Sequence, residues 1–514
     1  MGNITRRKFL KTGAQGVALA SVPFLFRINP LAALATPNPD AMTLRDYFDH
    51  FGVTETAAKE VMEAALSKGG DFCDLYFQHT VSTYIGLEDN VVNRAYTNVD
   101  LGVGIRVVKG DQTGFSFTEE ISPKAMKLAA KTAANIASGP GGSAPGSFNP
   151  YDPPNYYPIE TDWETVGVES KMPILRTMND MIFGLDKRII KSRSGFGDDT
   201  SYILYLNSDG IITYDYQPSS SLFISCTAEQ DGQVESSYAD YAGRYGMEFF
   251  TPEKVERLVK KSIDRTVVLF DAVKPDAGEM PVVLGAGSSG ILLHEAIGHG
   301  MEADFNRKNT SIFADKIDKP VAEKFVSIVD DGTNKNMRGS INIDDEGQPT
   351  EKTYLVRDGI LRSYMHDLIS AKYYKVKPTG SGRRESFRYM PIPRMRNTYM
   401  LDGPHTRDEI IASVKKGLYA EHFANGQVQI GAGDFSFYVK NGRLIEDGKL
   451  TKPVKDINII GNGPQVLSKV TMVANDLTFA EGGWTCGKAG QGVPVSMGLP
   501  TVKVSAITVG GVNS

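Results

Sequence analysis

The sequence predicts an α+β fold made of two domains, residues 36–275 and 276–514. Short runs of alternating apolar and polar residues, bounded by Gly, Asn and Asp, predict strands in both halves. Segments with apolar residues at helical spacing lie mainly in the first half. The chain is also too long for one hydrophobic core. We therefore expect an N-terminal mixed α/β layer domain followed by a mainly antiparallel β domain that carries a functional helix.

The elements of the first half follow from local signals. Residues 42–70 repeat apolar residues at helical spacing, and residues from about 170 resume that spacing. Ser122-Pro123 and Thr251-Pro252 each combine an N-cap residue with a first-turn proline, which predicts helices to about residues 137 and 270. Residues 138–158 are rich in turn formers and predict a long loop. Strand-like runs occupy 72–78, 82–87, 102–108, 113–118, 202–205 and 211–214.

The second half begins after a polar stretch at 271–279, which we interpret as the domain boundary. Thr406 and Glu409 form a capping box, so a helix is expected to about Gly417. Three short turn sequences predict hairpins: Arg357-Asp358-Gly359, Asn441-Gly442 and Asp447-Gly448.

The first 35 residues have the features of an export signal. Residues 5–11 contain a twin-arginine motif, residues 17–26 are apolar, and Ala33-Leu34-Ala35 is a small-x-small cleavage site. The alternative is a retained membrane anchor, but Pro23 and Arg27 interrupt a run that is short for a bilayer. We expect twin-arginine export, cleavage after Ala35 and a periplasmic location.

Composition excludes several classes of function. The signal contains five basic residues and no acidic ones, so the mature chain keeps 51 of the 56 Lys and Arg against 61 Asp and Glu, a net charge of about −10. No basic block is present, which argues against nucleic acid as a partner. We find no other apolar run long enough for a stable membrane span. Three cysteines in an exported chain do not form a disulfide scaffold.

The segment His294-Glu295-Ala296-Ile297-Gly298-His299 predicts a metal site on a helix. Two imidazoles can hold an ion while Glu295 takes a proton from a metal-bound water. His299 lies five positions after His294, however, and five steps of about 100° rotate it roughly 140° away from His294 on a regular helix. Both can reach one ion only if the helix carries an extra residue, as in a π-bulge. Gly298, which lacks a Cβ, is expected to ease that distortion.

Cys486 is the best candidate for a third ligand. It lies in a glycine-rich segment suited to close approach of the backbone, and a thiolate favours zinc over harder cations. Cys73 and Cys226 lie in apolar, strand-like runs and are expected to be core residues.

Three ligands and an open position are typical of a catalytic zinc site, whereas four protein ligands are typical of a structural one. A noncatalytic peptide-binding or assembly subunit with a structural metal is therefore the alternative. No convincing fourth ligand is evident, although His366, His405 and His422 stay open as candidates. Four further polar residues could line the cleft or brace the histidines, or be ordinary surface residues: Asp304, Asn306, Arg307 and Arg394.

These motifs resemble the TldD/PmbA metallopeptidase family. The resemblance rests first on residues 294–300 and 302–308. It continues in residues 391–395, 397–398, 461–463, 486–491, 494–495, 498–503 and 508–511. Residues 102–106 and 113–115 resemble the N-terminal domain of the family. It covers nearly all of the mature chain. TldD-type subunits keep the H-E-x-x-x-H site, whereas PmbA-type (TldE) subunits lack it, so this chain resembles the active kind.

The resemblance implies zinc held by His294, His299 and Cys486, with Glu295 as the general base. It also implies hydrolysis of unfolded peptides in an enclosed chamber, by a homodimer or by a heterodimer with a PmbA/TldE-like subunit. Familiar members are cytoplasmic, so the export signal leaves the substrate and the partner open.

We predict that the mature chain begins near Thr36 and lies in the periplasm, because the signal of residues 1–35 directs export. Changing Arg6 and Arg7 to Lys is expected to leave the protein inside the cell. Cell fractionation with N-terminal sequencing checks both points. Full-length wild-type chain in the cytoplasm contradicts the prediction.

Overall fold

The protein was analysed as a computed structural model that describes residues 42–429 and 432–511. The export signal expected at residues 1–35 lies outside the described residues. Within the described part, no helix is both long and apolar enough to cross a membrane.

The N-terminal half is one mainly antiparallel sheet with helices on one face. Its helices are α1 (Leu44–Phe51), α2 (Glu55–Leu66), α3 (Pro123–Ala133), α4 (Val168–Leu185) and α5 (Pro252–Val267). Its strands are β1 (Phe72–Glu88), β2 (Val91–Lys109), β3 (Gln112–Thr118), β4 (Asn149–Tyr151), β5 (Ile189–Asn207), β6 (Ile211–Gln230) and β7 (Gln233–Gly243). The strand order is β3-β2-β1-β5-β6-β4, and β7 also pairs with β6.

The side-chain alternation of β1 explains how the sheet is packed. Cys73, Leu75 and Phe77 point to the helix side and belong to the core that contains α1 to α5. Tyr76 points to the opposite face, where it clusters with Phe387 of the C-terminal half. The sheet is therefore a layer between the helices and the rest of the molecule.

The C-terminal half contains two further large sheets. Its helices are α6 (Ile291–Leu293), α7 (Ala303–Arg307), α8 (Leu368–Tyr374), α9 (Arg407–Ala412) and α10 (Gly463–Ser468). Its longer strands are β8 (Gly278–Leu284), β9 (Ile328–Asp331), β10 (Lys352–Arg357), β14 (Asn397–Met400), β15 (Lys416–Gln429), β16 (Asp434–Glu446), β17 (Lys449–Val454), β18 (Ile457–Asn462), β19 (Val470–Val473), β21 (Trp484–Lys488), β22 (Gln491–Leu499) and β23 (Val502–Gly511). Two-residue strands complete it: β11 (Ile360–Leu361), β12 (Gly382–Arg383), β13 (Ile392–Pro393) and β20 (Thr478–Phe479).

These strands form a ring and an open sheet around one core. Strands β15, β8, β23, β18 and β16 pair in that order, and β16 pairs back with β15. The open sheet has the order β11-β10-β9-β14-β22-β20, with β21 on β22. Most pairs are antiparallel, but β14–β22 and β15–β8 are parallel. The shared core encloses the helix that begins with α6. The predicted α+β class is confirmed.

Several local expectations differ from the structure. The helix expected over 42–70 is two helices, because Gly52 adopts a left-handed conformation with φ 62° and ends α1. The helix after Thr406 ends at Ala412, because the chain enters β15 at Lys416. The hairpin expected at Asn441-Gly442 is wrong, since both residues lie inside β16. The turns at Asp358-Gly359 and Asp447-Gly448 are present, with positive φ at all four residues.

A buried charge network joins the two halves. Arg106 of β2 donates from Nε to Asp74 at 2.9 Å and from Nη1 to Glu346 of the C-terminal half at 2.5 Å. All three side chains are buried. Ionised groups cost several kcal/mol to bury and are tolerated only when they are paired. The network therefore constrains how the sheet lies on the C-terminal half.

We predict that Arg106→Met destabilises the protein by about 3–5 kcal/mol, because two buried carboxylates each lose a buried cationic partner. Lys109→Met is the matched control, since its ion pair with Asp71 lies at the surface and is expected to contribute little. Chemical unfolding of both variants measures the difference. Equal stability of the two variants contradicts a structural role for the network.

Candidate metal centre

A short irregular helix carries His294, Glu295 and His299. It starts as α6, continues as a π-helical turn over His294–Gly298 and ends as a 3-10 turn over His299–Met301. The π-helical turn adds one residue per turn, so His299 returns to the side of His294. The two imidazole centroids lie 5.2 Å apart with an angle of 82° between the ring planes. The extra residue expected from the five-residue spacing is present.

Gly298 makes room for a neighbouring side chain rather than relieving backbone strain. Its φ of −58° and ψ of −52° are ordinary helical angles that any residue adopts. A Cβ at this position, however, would lie 2.1 Å from the sulfur of Met395. The glycine is therefore not explained by relief of a distorted backbone, as the sequence suggested. It allows the buried side chain of Met395 to approach the helix closely.

The β21–β22 hairpin brings Cys486 to the two histidines. Cys486 Sγ lies 3.5 Å from His299 Nε2. The candidate ligand atoms of His294, His299 and Cys486 all lie within 4.8 Å of one another, and all three residues are buried. Zinc bonds of about 2.0–2.3 Å place the ligand atoms of one tetrahedral ion less than about 4 Å apart. The separations of the candidate ligand atoms are thus close to those of a site that holds one zinc ion.

The protonation chemistry of the cluster also fits a cation. Burial alone would raise the pKa of the Cys486 thiol, but His294 and His299 outweigh burial and hold that pKa well below its ordinary value. A thiolate next to two imidazoles is a donor set that zinc prefers. His294 Nδ1 is buried and has no hydrogen-bond partner among the described residues. The residues present therefore fit a zinc ion.

Glu302 fixes the orientation of His299. His299 Nδ1 lies 2.9 Å from Glu302 Oε2, which leaves Nε2 facing Cys486. Burial alone would raise the pKa of Glu302, but Lys488 and His299 lower it to about 2. A carboxylate behind a ligating imidazole is the common device that sets its tautomer. The sequence interpretation assigned no role to Glu302.

Lys488 was also missed, and it joins the hairpin to the helix. Its Nζ lies 3.1 Å from Glu302 Oε2 and donates to Asp304 Oδ1 at 2.8 Å and to the Pro393 carbonyl at 3.0 Å. Because side chains alternate along β21, Cys486 and Lys488 point to the same face. Strand β21 therefore supplies the candidate ligand Cys486. It also supplies Lys488, whose charge neutralises the carboxylate of Glu302.

Glu295 is the partly exposed acid of the cluster. Its side chain retains 21% of its accessible surface, and Oε2 lies 3.9 Å from His299 Nε2. Among the described residues it has no hydrogen-bond donor. Glu295 is thus next to the cluster without being tied to another group, which leaves its carboxylate available to a water or substrate.

Three of the four further polar candidates brace the site. Arg394 donates from Nη2 to the carbonyl oxygen of Cys486, and Asn306 donates to the carbonyls of Gly300 and Glu302 at 2.8 Å each. Asp304 binds Lys488. Arg307 instead faces the N-terminal half, where its Nη1 lies 3.9 Å from Asp111 Oδ2.

The other candidates do not join the cluster. Within the described part of the chain, the group that could hold a metal contains none of His366, His405 and His422. Cys73 and Cys226 are free, buried core residues, as expected.

Family models match most of the described chain. The PmbA/TldA metallopeptidase domain 1 matches residues 73–137, the central domain matches 161–270, and the C-terminal domain matches 277–511.

Individual relatives agree with these models. The chain is 40% identical over 450 residues to the metalloprotease TldD homolog of Haemophilus influenzae, covering 86% of this chain and 93% of that protein. It is 26% identical over 457 residues to the zinc metalloprotease TldD homolog of Saccharolobus solfataricus, covering 86% and 97%. The crystal structure of TldE from Thermococcus kodakarensis shares the fold, with a TM-score of 0.67 at 20% identity and coverage of 88% and 100%. This chain belongs to the PmbA/TldD metallopeptidase family.

Proposed function

We propose that this protein is a zinc-dependent peptidase that hydrolyses unfolded peptides or small proteins in the periplasm. The supporting observation is the buried cluster of His294, His299 and Cys486 with the partly exposed Glu295 beside it. Relatives named metalloproteases, one of them a zinc metalloprotease, support the same activity.

His294, His299 and Cys486 would hold the ion. When bound, zinc supplies a Lewis acid that polarises the scissile carbonyl and lowers the pKa of a coordinated water. Glu295 accepts the proton of the attacking water and then delivers it to the leaving amine. Glu302 holds His299 in the tautomer that presents Nε2, and Lys488 keeps Glu302 ionised. Burial of the three ligands excludes competing water from their side of the site.

The alternative is a noncatalytic subunit that binds peptides and carries a structural metal. A structural zinc normally has four protein ligands. The described cluster offers three candidate donors, so a bound ion would keep a position for water or substrate, which favours the enzyme.

The assembly is proposed to be a dimer, either of two copies of this chain or with a PmbA/TldE-like subunit. The fold shared with TldE of Thermococcus kodakarensis supports an assembly of that type. The periplasmic location rests on the export signal in residues 1–35.

We predict about one zinc per chain, lost when His294, His299 or Cys486 is changed to Ala, because each supplies one bond to the ion. Elemental analysis of the purified variants measures the metal. Cys226→Ala is the matched control, since it removes a buried thiol remote from the cluster. Full zinc content in Cys486→Ala would exclude Cys486 as a ligand.

We predict that Glu295→Gln keeps the zinc and the fold but loses peptide hydrolysis by about 10²–10⁴-fold, because an amide cannot accept the proton. Turnover of an unfolded peptide and zinc content are measured on the same sample. Glu481→Gln, which removes a carboxylate bound to Arg257 and Lys261, is the control. Cleavage by Glu295→Gln at the wild-type rate contradicts the mechanism.

A further inference from the structure

A cavity of 440 Å³ lies between the N-terminal sheet and the β21–β22 hairpin. Its volume is within the range of about 300–1,000 Å³ that is typical of ligand sites. Asn98 of β2 and Thr485 of β21 line it and are exposed, so the cavity opens to solvent. Because side chains alternate along a strand, Thr485 and the candidate ligand Cys486 point to opposite faces of β21. One strand therefore separates the cavity from the candidate metal centre.

The cavity has an excess of positive charge. Five arginines and four acidic residues line it, which leaves one positive charge. Two of the arginines have acidic partners: Arg384 Nη2 lies 3.8 Å from Asp74 Oδ1, and Arg388 Nη1 lies 2.5 Å from Asp100 Oδ2. The other three form no ion pair among the described residues: Arg244, Arg338 and Arg383.

Arg338 and Arg383 keep free hydrogen-bond donors. Arg338 donates from Nε to the Trp484 carbonyl at 3.2 Å and from Nη1 to Ser219 Oγ at 3.4 Å. Arg383 is only 3% exposed and donates from Nη1 to the Met395 carbonyl at 2.7 Å. In the described part of the chain, Nη2 of Arg338 and both Nε and Nη2 of Arg383 make no hydrogen bond. Two guanidinium groups of one cavity thus have donors left for a ligand.

The unpaired arginines also repel one another. Burial lowers the pKa of Arg383 to about 10; Asp345 opposes this effect, but Arg244 adds to it. Burial likewise lowers the pKa of Arg338, where Asp199 opposes and Arg244 again contributes. Like charges held together away from water are costly unless an anion compensates them. A bound anion would therefore be stabilised at this end of the cavity.

We infer that Arg338 and Arg383 bind a carboxylate of the peptide substrate in this cavity, while Arg244 adds to the positive potential. The planar fork of a guanidinium matches the two oxygens of a carboxylate. This inference rests on the proposed peptidase function and names its substrate class. The preferred substrates are unfolded peptides with a carboxylate near the cleaved bond, either the C-terminus or an Asp or Glu side chain.

The lining of the cavity favours a peptide carboxylate over a phosphate group. One excess positive charge matches a single carboxylate, whereas a phosphate monoester carries about two negative charges at neutral pH. The wall formed by the N-terminal sheet presents uncharged polar groups, among them Gln78, Ser82 and the bonded pair of Thr80 and Ser201. Hydroxyl and amide groups can donate to and accept from a peptide main chain.

The position of the cavity sets the distance between the carboxylate and the cleaved bond. Packed β layers lie about 10 Å apart, and an extended chain advances about 3.3 Å per residue. A peptide that reaches both faces of β21 therefore needs about three residues between the two points. We expect cleavage about three residues from the bound carboxylate.

Matched unfolded peptides test the substrate class. In one set a single Glu is moved along an uncharged sequence, with Gln at the same positions as the control. In the other set the C-terminus is either free or amidated. The carboxylate form is expected to have a KM about tenfold lower in at least one set, and mass spectrometry is expected to place the cut at a constant distance from it. The set that shows the difference identifies the source of the carboxylate.

Variants of the cavity test the residues. In Arg338→Gln and Arg383→Gln, the ratio of the KM values for the uncharged and carboxylate peptides is expected to fall to about one, because a charged donor is lost. Arg388→Gln is the matched control and keeps the ratio, since Asp100 and Glu119 already neutralise Arg388. Asp199→Asn is expected to increase the ratio, because it removes a competing negative charge from the cavity wall. Circular dichroism and zinc content establish that each variant is intact.

Peptide binding to Glu295→Gln separates this inference from the proposed function. Calorimetry is expected to give a dissociation constant about tenfold lower for the carboxylate peptide, and Arg338→Gln in the same background is expected to remove the difference. That result supports the site even if the wild type cleaves no peptide, in which case only the peptidase proposal fails.

Two results would overturn the inference. The first is a wild type that binds and cleaves carboxylate and uncharged peptides equally well, which would leave the peptidase proposal intact. The second is a preference for carboxylates that intact Arg338→Gln and Arg383→Gln both retain. If neither arginine variant folds, Asp199→Asn decides: an unchanged preference in this variant counts against the site.

Discussion

The candidate site depends on one constraint: two histidines five residues apart must face the same point. A regular α-helix cannot satisfy it, and the π-helical turn of His294–Gly298 does. The buried side chains of Leu292, Leu293 and Ile297 contribute about 1.5–3 kcal/mol each relative to exposure. Burial of these side chains therefore stabilises the irregular helix in its place.

The contacts around this turn follow from the same constraint. The sulfur of Met395 fills the space that Gly298 leaves. The hairpin that carries Cys486 is joined to the helix through Lys488 and Glu302. Arg394 donates a hydrogen bond to the carbonyl oxygen of Cys486 and so fixes the hairpin. Ligands from distant parts of the sequence are thus held by one continuous set of contacts.

Sequence signals correctly predicted those helices whose ends are fixed by contacts between neighbouring residues. The capping box at Thr406 and the proline-started helices at Ser122 and Thr251 are present because their partners lie within one turn. The turn signal at Asn441-Gly442 failed because Asn441 is held inside β16 by a distant partner, donating its side chain to the Arg265 carbonyl at 2.9 Å. The closure of the β-ring depends on pairings between distant strands, which local patterns do not encode.

The site also contains residues that the sequence could identify and residues that only the fold reveals. His294, Glu295, His299 and Cys486 were selected from their chemistry and spacing, and the structure brings them together. Glu302 and Lys488 were missed, although both stand near selected residues. Glu302 lies three residues after His299, and Lys488 lies two after Cys486. Those spacings acquire meaning only when the helix end and the strand face are known.

X-ray absorption at the zinc edge tests the central claim most directly, because it reports the atoms bound to the ion. The account predicts one sulfur at about 2.3 Å and three nitrogen or oxygen neighbours at about 2.0–2.1 Å. Those neighbours are two imidazoles and one water or substrate oxygen. A zinc shell without sulfur, or one filled by four protein ligands, would contradict it.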